Sequence, residues 1–186
     1  VVMWGIFSLI KPRGEQIVEY IKELNSLTKK LDPSRPTVAC SNQDGDINFI
    51  TDLIVWQQSL GWDKGKMSDL RIWQDLLASK WSHLCQAVAY GAGRTDIEPT
   101  DVVAQTKYRG SQTSAIWQRN FHEGYVEELV GNTIFWGTWL NNMFDFGSTR
   151  HPSGVLTAGL VEMDHRTPKD IYYLYRALWN HSSPTL

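Results

Sequence analysis

The sequence has few cysteines and no block of like charge. Cys40 and Cys85 are the two cysteines in 186 residues, which is too few for a disulfide framework, and no Cys/His cluster has zinc-site spacing. Eighteen basic and twenty acidic residues give a net charge of −2, without the basic stretch of a nucleic-acid-binding protein. We therefore expect no metal, no cofactor and no nucleic-acid partner.

Long hydrophobic runs are also missing. Charged residues interrupt every candidate for the roughly eighteen-residue apolar run of a membrane-spanning helix, and Val1–Trp4 lacks the basic start of a signal peptide. We expect no membrane partner, and the cellular compartment stays open. An apolar content of 42% is enough to form a core, so the length predicts a single domain over residues 1–186.

Short apolar runs alternate with helical periodicity along the chain. The predicted strands are Val1–Phe7, Thr37–Cys40, Leu53–Trp56, Leu84–Val88 and Thr133–Trp139. The predicted helices are Gly14–Leu31, one capped by Ser68, one carrying Phe121, Tyr125 and Leu129, and a last one with Thr167 as N-cap and Pro168 in its first position. The polar stretch Gly93–Ser114 is predicted to be a long loop.

This alternation is typical of α/β proteins with a parallel sheet and right-handed crossovers. A closed (β/α)8 TIM barrel has eight strands and about 250 residues, whereas this chain provides about five strand-helix units. Two architectures remain. The chain forms an open five-stranded sheet, or it is part of a barrel that another chain or another copy completes.

Several motifs resemble the barrel domain of glycoside hydrolase family 2, particularly its β-galactosidase-like members. They occur in family order and are Trp4-Gly5-Ile6-Phe7, Leu31 to Pro36, Gly61-Trp62, Tyr90-Gly91-Ala92-Gly93, Trp136 to Phe146, and Gly159-Leu160-Val161. The resemblance covers almost the whole chain. It implies that residues 1–186 are the C-terminal portion of a TIM barrel and supply its strands four to eight.

The resemblance also implies where the catalytic carboxylates would lie. Retaining glycosidases use one carboxylic acid to protonate the leaving oxygen and a second carboxylate as nucleophile. The family's acid/base closes an Asn-Glu pair after strand four, and the matching residues are Ser8 and Leu9. The nucleophile precedes the Tyr-Gly-Ala-Gly turn, where this chain has Ala89. Both catalytic positions, Leu9 and Ala89, are therefore substituted.

Other positions expected to bind a carbohydrate depart from the family pattern as well. Gln57 and Gln58 follow the third predicted strand, where the family usually has Asn with basic or aromatic neighbours. Asn141 replaces a tryptophan that usually forms the floor of the sugar site. The expected substrate-binding positions are Ser8, Gln57, Gln58, Trp62, Trp139 and Asn141.

Two functional hypotheses follow. The first is an inactive barrel fragment of a retaining O-glycosidase, with carbohydrate as its ancestral ligand. The second is an engineered TIM-barrel-derived scaffold that self-associates or carries an introduced activity, because the substitutions are confined to strand ends. In either case, a second copy or an N-terminal half-barrel is expected to pair with the open sheet edges.

Some single residues allow a functional and a structural interpretation. Cys40 ends a strand, where a designed nucleophile would be placed, but we favour a small buried residue. His122 is predicted to pack rather than to bind metal. Trp73, Trp117 and Trp179 are predicted to be buried in helical stripes, whereas Trp56, Trp62 and Trp139 fit a pocket or a core equally well.

Overall fold

The computed structural model describes residues 1–11, 14–62, 64–92, 115–149 and 154–180. They belong to two compact units. The first consists of Val1–Gln58, Leu76–Tyr90 and Thr133–Trp139, and the second of Ser59–Asp75, Gly91–Asn132 and Leu140–Leu186. The predicted loop Gly93–Ser114 lies outside the described residues.

A five-stranded sheet forms the centre of the first unit. Its strands, in both chain order and spatial order, are β1 (Trp4–Ser8), β2 (Thr37–Ser41), β3 (Leu53–Gln57), β4 (Gln86–Tyr90) and β5 (Phe135–Leu140). The first four strands pair in parallel. This confirms the predicted α/β class, with the five strands of a partial barrel.

Three predicted strand starts were wrong, and one of them is Thr133, since that strand begins two residues later at Phe135. Val1 and Val2 lie outside β1 and are highly exposed, although both are β-branched. Leu84 also precedes its strand, because its backbone N–H donates to the Trp81 carbonyl in the turn that follows the helix. In each case, the apolar run in the sequence starts before the residues that pair in the sheet.

The helices and smaller elements complete the chain. They are α1 (Glu15–Leu31), a 3-10 turn (Asp46–Phe49), α2 (Asp69–Trp81), α3 (Ala115–Leu129), an antiparallel pair β6 (Phe146–Gly147) and β7 (Val155–Leu156), and α4 (Asp170–Trp179). Across the described ranges, no helix is long and apolar enough to cross a membrane.

The two faces of the sheet carry different side chains. One face carries a cluster of small buried residues, Val38, Val55, Ala87 and Ala89. Side chains alternate between faces along a strand, so Trp56 belongs to the other face. There its indole N–H donates to Gln86 at 2.7 Å and its ring stacks on Trp81 of α2, with 5.0 Å between ring centroids. Trp56 is therefore part of the core rather than of a pocket.

Helix α1 packs on the sheet through one side. Ile21 and Asn25 are buried, and the Asn25 amide donates to the Ile50 carbonyl at 2.8 Å. One turn later, the Lys29 ammonium pairs with the Asp52 carboxylate just before β3. These contacts fix which side of α1 faces the turn that leads into β3.

Helix α4 begins later than the sequence predicts, so Thr167 as N-cap and Pro168 as first helical residue were wrong. The N-cap is Lys169. Thr167 instead donates its backbone N–H and its hydroxyl to Asp164, and these hydrogen bonds lower the pKa of the Asp164 carboxyl to about 2. The turn at Asp164 therefore uses the hydroxyl that was expected to cap the helix.

Of the three helical tryptophans that were predicted to be buried, one is buried. Trp117 is 5% exposed in α3, Trp73 is half-buried, and Trp179 is 56% exposed. Trp179 is the last residue of α4, where helical periodicity no longer guarantees a covering layer.

Candidate active site

The predicted catalytic and polar positions of the first unit lie at one edge of the sheet. Because β1 to β4 are parallel, their carboxyl ends lie along the same edge, which in barrel enzymes carries the active site. Ser8 pairs with Cys40 across β1 and β2, and Gln57 pairs with Ala89 across β3 and β4. We call this edge, formed by Ser8, Leu9, Cys40, Gln57 and Ala89, the carboxyl rim.

The Leu9 position has an unusual backbone. Leu9 follows β1, donates its backbone N–H to the Cys40 carbonyl at 2.9 Å, and has a φ of 53°. This left-handed conformation is unfavourable for an L-residue with a side chain. The side chain is 45% exposed, so the expected acid/base position holds a solvent-accessible aliphatic group.

Ala89 lies on the face of small residues. It is 6% exposed and clusters with Val38, Val55 and Ala87, while its carbonyl accepts the backbone N–H of Gln58 at 2.8 Å. Strands β2 and β3 separate β4 from β1. Leu9 and Ala89 therefore share one edge of the sheet, at opposite ends of its first four strands.

A polar contact joins the middle of the rim. The Cys40 thiol lies 4.0 Å from the Gln57 amide oxygen, to which it donates, and Cys40 also has a hydrogen bond with Ser8. Burial raises the pKa of the Cys40 thiol, and the hydrogen bond from Ser8 partly opposes that effect. A thiol with a raised pKa is a weak nucleophile. This supports the structural interpretation of Cys40, whose contacts depend on the alignment of β1, β2 and β3 and therefore had no signal in the sequence.

The remaining first-unit positions differ in accessibility. Gln57 is half-buried, Gln58 is 5% exposed, and Trp139 is 37% exposed. The Trp139 ring meets Trp136 edge-on, with 6.0 Å between centroids. Trp139 therefore offers an accessible aromatic face, whereas a ligand would reach Gln58 only after a rearrangement.

Two predicted sugar-contacting residues belong to the second unit. Trp62 is half-buried, stacked near Trp117 with 6.3 Å between centroids and edge-on to Phe121 at 5.9 Å. Asn141 is exposed and close to Gly91, where an added Cβ would lie 3.2 Å from the Asn141 Cβ. Gly91 thus permits a close approach of the two turns.

Carboxylates are absent from the carboxyl rim as defined. The nearest one along the chain after β2 is Asp44, whose carboxylate pairs with Lys80 of α2 at 2.8 Å. Within the described ranges, no group of three His, Cys, Asp or Glu residues could hold a metal ion. The rim can offer hydrogen bonds and aliphatic surface, but it has no pair of acids for proton transfer and nucleophilic attack.

The second unit contains a buried ion pair and a buried histidine. Lys169 and Asp145 are almost fully buried and their charged atoms lie 2.6 Å apart, and Asp145 also accepts the Gly159 backbone N–H. His122 is buried with its Nδ1 2.9 Å from the Tyr175 hydroxyl, and burial lowers the pKa of the imidazole to about 4. His122 therefore packs as predicted, in a neutral form at pH 7.

A protein-family model and a known relative each match almost all of the sequence. The family model described as Glycosyl hydrolases family 2, TIM barrel domain, matches residues 1–182. A β-glucuronidase of Bacteroides fragilis is 36% identical over 191 residues, which cover 100% of this chain and 28% of the relative.

Solved structures agree with this match. An FMN-binding β-glucuronidase from Facaelibacterium prausnitzii L2-6 superposes with a TM-score of 0.84 at 26% identity, over 99% of this chain and 29% of that one. A β-glucuronidase of Ruminococcus gnavus gives a TM-score of 0.80 at 17% identity, over 100% and 33% of the two chains, which shows the fold alone. The chain thus spans about a third or less of the length of these relatives.

Proposed function

The chain belongs to the TIM barrel domain of glycosyl hydrolases family 2, and from this premise we propose that it is a β-glucuronidase-like barrel segment without hydrolytic activity. It keeps the parallel sheet on which the family builds its site. It lacks the two acids that the retaining reaction requires.

The observation that carries this proposal is the methyl group of Ala89 at the nucleophile position. Forming a glycosyl-enzyme requires a carboxylate oxygen that attacks the anomeric carbon. Ala89 offers no nucleophilic atom, and it is packed among aliphatic side chains. Its neighbour in register is Gln57, a neutral amide that cannot replace the missing carboxylate.

Leu9 supports the same conclusion for the first step. Protonation of the leaving oxygen needs a group that can release a proton near neutral pH. An aliphatic side chain cannot do so, and the rim neighbour Cys40 has a thiol whose raised pKa keeps its proton bound. The retaining route is therefore missing both its acid and its nucleophile.

A saccharide is still the ligand class that the rim and Trp139 of the first unit together fit best. The accessible face of Trp139 can stack on the apolar face of a pyranose, while Ser8 and Gln57 can hydrogen-bond to hydroxyl groups. Since the similar curated protein is named a β-glucuronidase, we take β-glucuronides as the first ligand class to test, ahead of the β-galactosides that the motifs suggested.

An activity assay tests the proposal directly. With an aryl β-glucuronide, this protein should give no turnover above background, and Leu9→Glu combined with Ala89→Glu should create a measurable rate. Each single variant serves as control and should stay inactive, because retention needs both carboxylates. Turnover by the unaltered protein that co-purifies with it would disprove the proposed inactivity.

The second candidate is a self-associating scaffold, and the open sheet edges favour it. Within the described residues, β1 and β5 end the sheet, and Trp136 on β5 is 45% exposed. Unpaired strand edges with apolar side chains promote association. Sedimentation equilibrium separates the candidates: a stable dimer of this chain alone would favour the scaffold, whereas a monomer at micromolar concentration would reject it.

A further inference from the structure

Gln118, the fourth residue of α3, is a buried polar residue whose side-chain amide reaches three carbonyl groups. It is 1% exposed, and its Nε2 donates to the carbonyl of Ala92 at 2.8 Å, of Gly159 at 3.3 Å and of Thr157 at 3.4 Å. The amide has two hydrogens, so at least one of them is shared between two acceptors. Gln118 therefore joins the segment after β4 to the segment after β7.

The Asn141 side chain rests against the segment that contains Ala92. A Cβ added at the neighbouring Gly91 would lie 3.2 Å from the Cβ and 3.4 Å from the Nδ2 of Asn141. The Ala92 backbone also has a hydrogen bond with the buried His122. The backbone beside the Asn141 side chain is thus held by two buried side chains of α3, Gln118 and His122.

The second segment that Gln118 holds lies against the residues that follow Asn141. A Cβ added at Gly159 would overlap the Phe144 backbone, so the two backbones are in direct contact. The Gly159 backbone N–H also donates to the Asp145 carboxylate at 2.8 Å. The amide of Gln118 therefore fixes both the backbone beside the Asn141 side chain and the backbone packed on the residues after it.

We propose that Gln118 is a positioning residue for Asn141 at a saccharide-binding surface of the second unit. Asn141 is exposed, and its amide can donate to and accept from sugar hydroxyl groups. A binding group has to be held to within about 0.5 Å by the groups that pack around it. At Asn141 those groups are the backbone segments that Gln118 joins. The inference rests on the saccharide ligand of the proposed function and adds a residue that acts without touching the ligand.

Gln74 of α2 is a buried glutamine of the same unit and provides the structural comparison. It is 5% exposed, donates to the Glu128 carbonyl at 3.4 Å and accepts from Asn132. These contacts are at the end of α3, whereas Gln118 lies near its start. Methionine in place of either glutamine keeps the length of the side chain and removes its hydrogen bonds, so both variants should lose stability for the same reason. Only the Gln118 variant should affect Asn141.

Two measurements compare the unaltered protein with Gln118→Met and Gln74→Met. The first follows the NMR signals of the Asn141 side-chain amide, assigned with Asn141→Ala. Gln118→Met should shift these signals, and Gln74→Met should leave them in place. The second is a titration with methyl β-glucuronide. Gln118→Met should raise the Kd about tenfold, which corresponds to one neutral hydrogen bond, and Gln74→Met should keep the Kd of the unaltered protein.

A third measurement does not depend on whether a variant folds. In the unaltered protein, the hydrogens of the Gln118 side-chain amide should exchange slowly with solvent, because the amide is buried between carbonyl groups. They should also show nuclear Overhauser contacts to the α-hydrogens of Ala92 and Gly159. Fast exchange without these contacts overturns the proposal.

The outcomes separate this proposal from the proposed function. If methyl β-glucuronide does not bind to the unaltered protein, the saccharide ligand is contradicted, and the Asn141 signals still decide whether Gln118 positions that side chain. Asn141 signals that stay in place in Gln118→Met, or that move equally in both methionine variants, overturn the positioning role. An equal rise of the Kd in the two variants does so as well.

Discussion

The carboxyl rim and the interior of the second unit use polar chemistry in opposite ways. The rim, where the retaining mechanism needs one carboxylic acid and one carboxylate, carries a hydroxyl, an amide, a thiol and aliphatic groups. The second unit buries an ion pair, Lys169 with Asp145, and a histidine with a strongly lowered pKa, His122. In the second unit, therefore, buried charge and a lowered pKa belong to packing contacts.

This contrast matters for how sites are inferred. Perturbed titratable groups cluster at functional sites often enough to guide a search, but structural networks perturb them too. Here the partners decide the question: Asp145 Oδ1 accepts from both Lys169 Nζ and the Gly159 backbone N–H, so this oxygen is engaged in structural contacts. The Lys169–Asp145 pair and the contact of His122 with Tyr175 stabilise the packing of the second unit.

Breaking the Lys169–Asp145 pair should produce the largest effect. Lys169→Met removes the ammonium and leaves the Asp145 carboxylate buried without its partner, which costs about 3–5 kcal/mol. Chemical denaturation should show a correspondingly lower free energy of unfolding.

The exposed pair of Lys80 with Asp44 gives the control for that variant. Its side chains are 47% and 73% exposed, so Lys80→Met should cost no more than about 1 kcal/mol. If Lys169→Met and Lys80→Met lower the free energy of unfolding by the same amount, burial does not distinguish the two ion pairs.

A smaller effect should appear as a pH dependence at His122. The native pKa of about 4 lies below the ordinary value of 6.5, so the unfolded chain takes up the proton first as the pH falls. The free energy of unfolding is therefore independent of the His122 proton above pH 6.5 and decreases as the pH falls towards 4. By linkage the loss is roughly 3 kcal/mol at most.

Denaturation curves between pH 7 and pH 4 measure this loss. His122→Gln should flatten the decline, because it removes the buried imidazole whose pKa is lowered. A decline of equal slope in His122→Gln would assign the pH dependence to other groups.

The sequence predicted the order of the strands better than it predicted the contacts that end the helices. Alternating apolar runs located β2 and β3 to within a residue, because a strand buried on a sheet needs such a run. The start of α4 was missed because Thr167 donates to Asp164 and Lys169 donates to Asp145. Rules for helix ends use neighbouring residues only, whereas Asp145 precedes Lys169 by 24 residues.

For the candidate site too, the sequence predicted positions along the chain but not the contacts between strands. The positions of Leu9 and Ala89 came from strand ends and family motifs, and the structure puts both at the carboxyl edge. The backbone strain at Leu9 and the contact of Cys40 with Gln57 depend on how neighbouring strands align, which periodicity does not report.

The smallest predicted effect is at the carboxyl rim, where Leu9 has a φ of 53°. A left-handed backbone costs a typical L-residue about 1–2 kcal/mol, whereas Asn tolerates it through local hydrogen bonding. Because the Leu9 side chain is 45% exposed, little apolar burial is lost on replacement. Leu9→Asn should therefore raise the free energy of unfolding by about 0.5–1 kcal/mol, as measured by urea denaturation.

Leu27→Asn is the matched control, because Leu27 is exposed to a similar extent but lies within α1. In a helix the same replacement should lower stability by about 0.5 kcal/mol, since Asn is a poorer helix former than Leu. Opposite signs at the two sites would show that the rim carries backbone strain at the position where the family places its acid/base. A loss of stability at Leu9 would mean that the side chain contributes more by packing than the backbone costs, and that the rim has been rebuilt around an aliphatic residue.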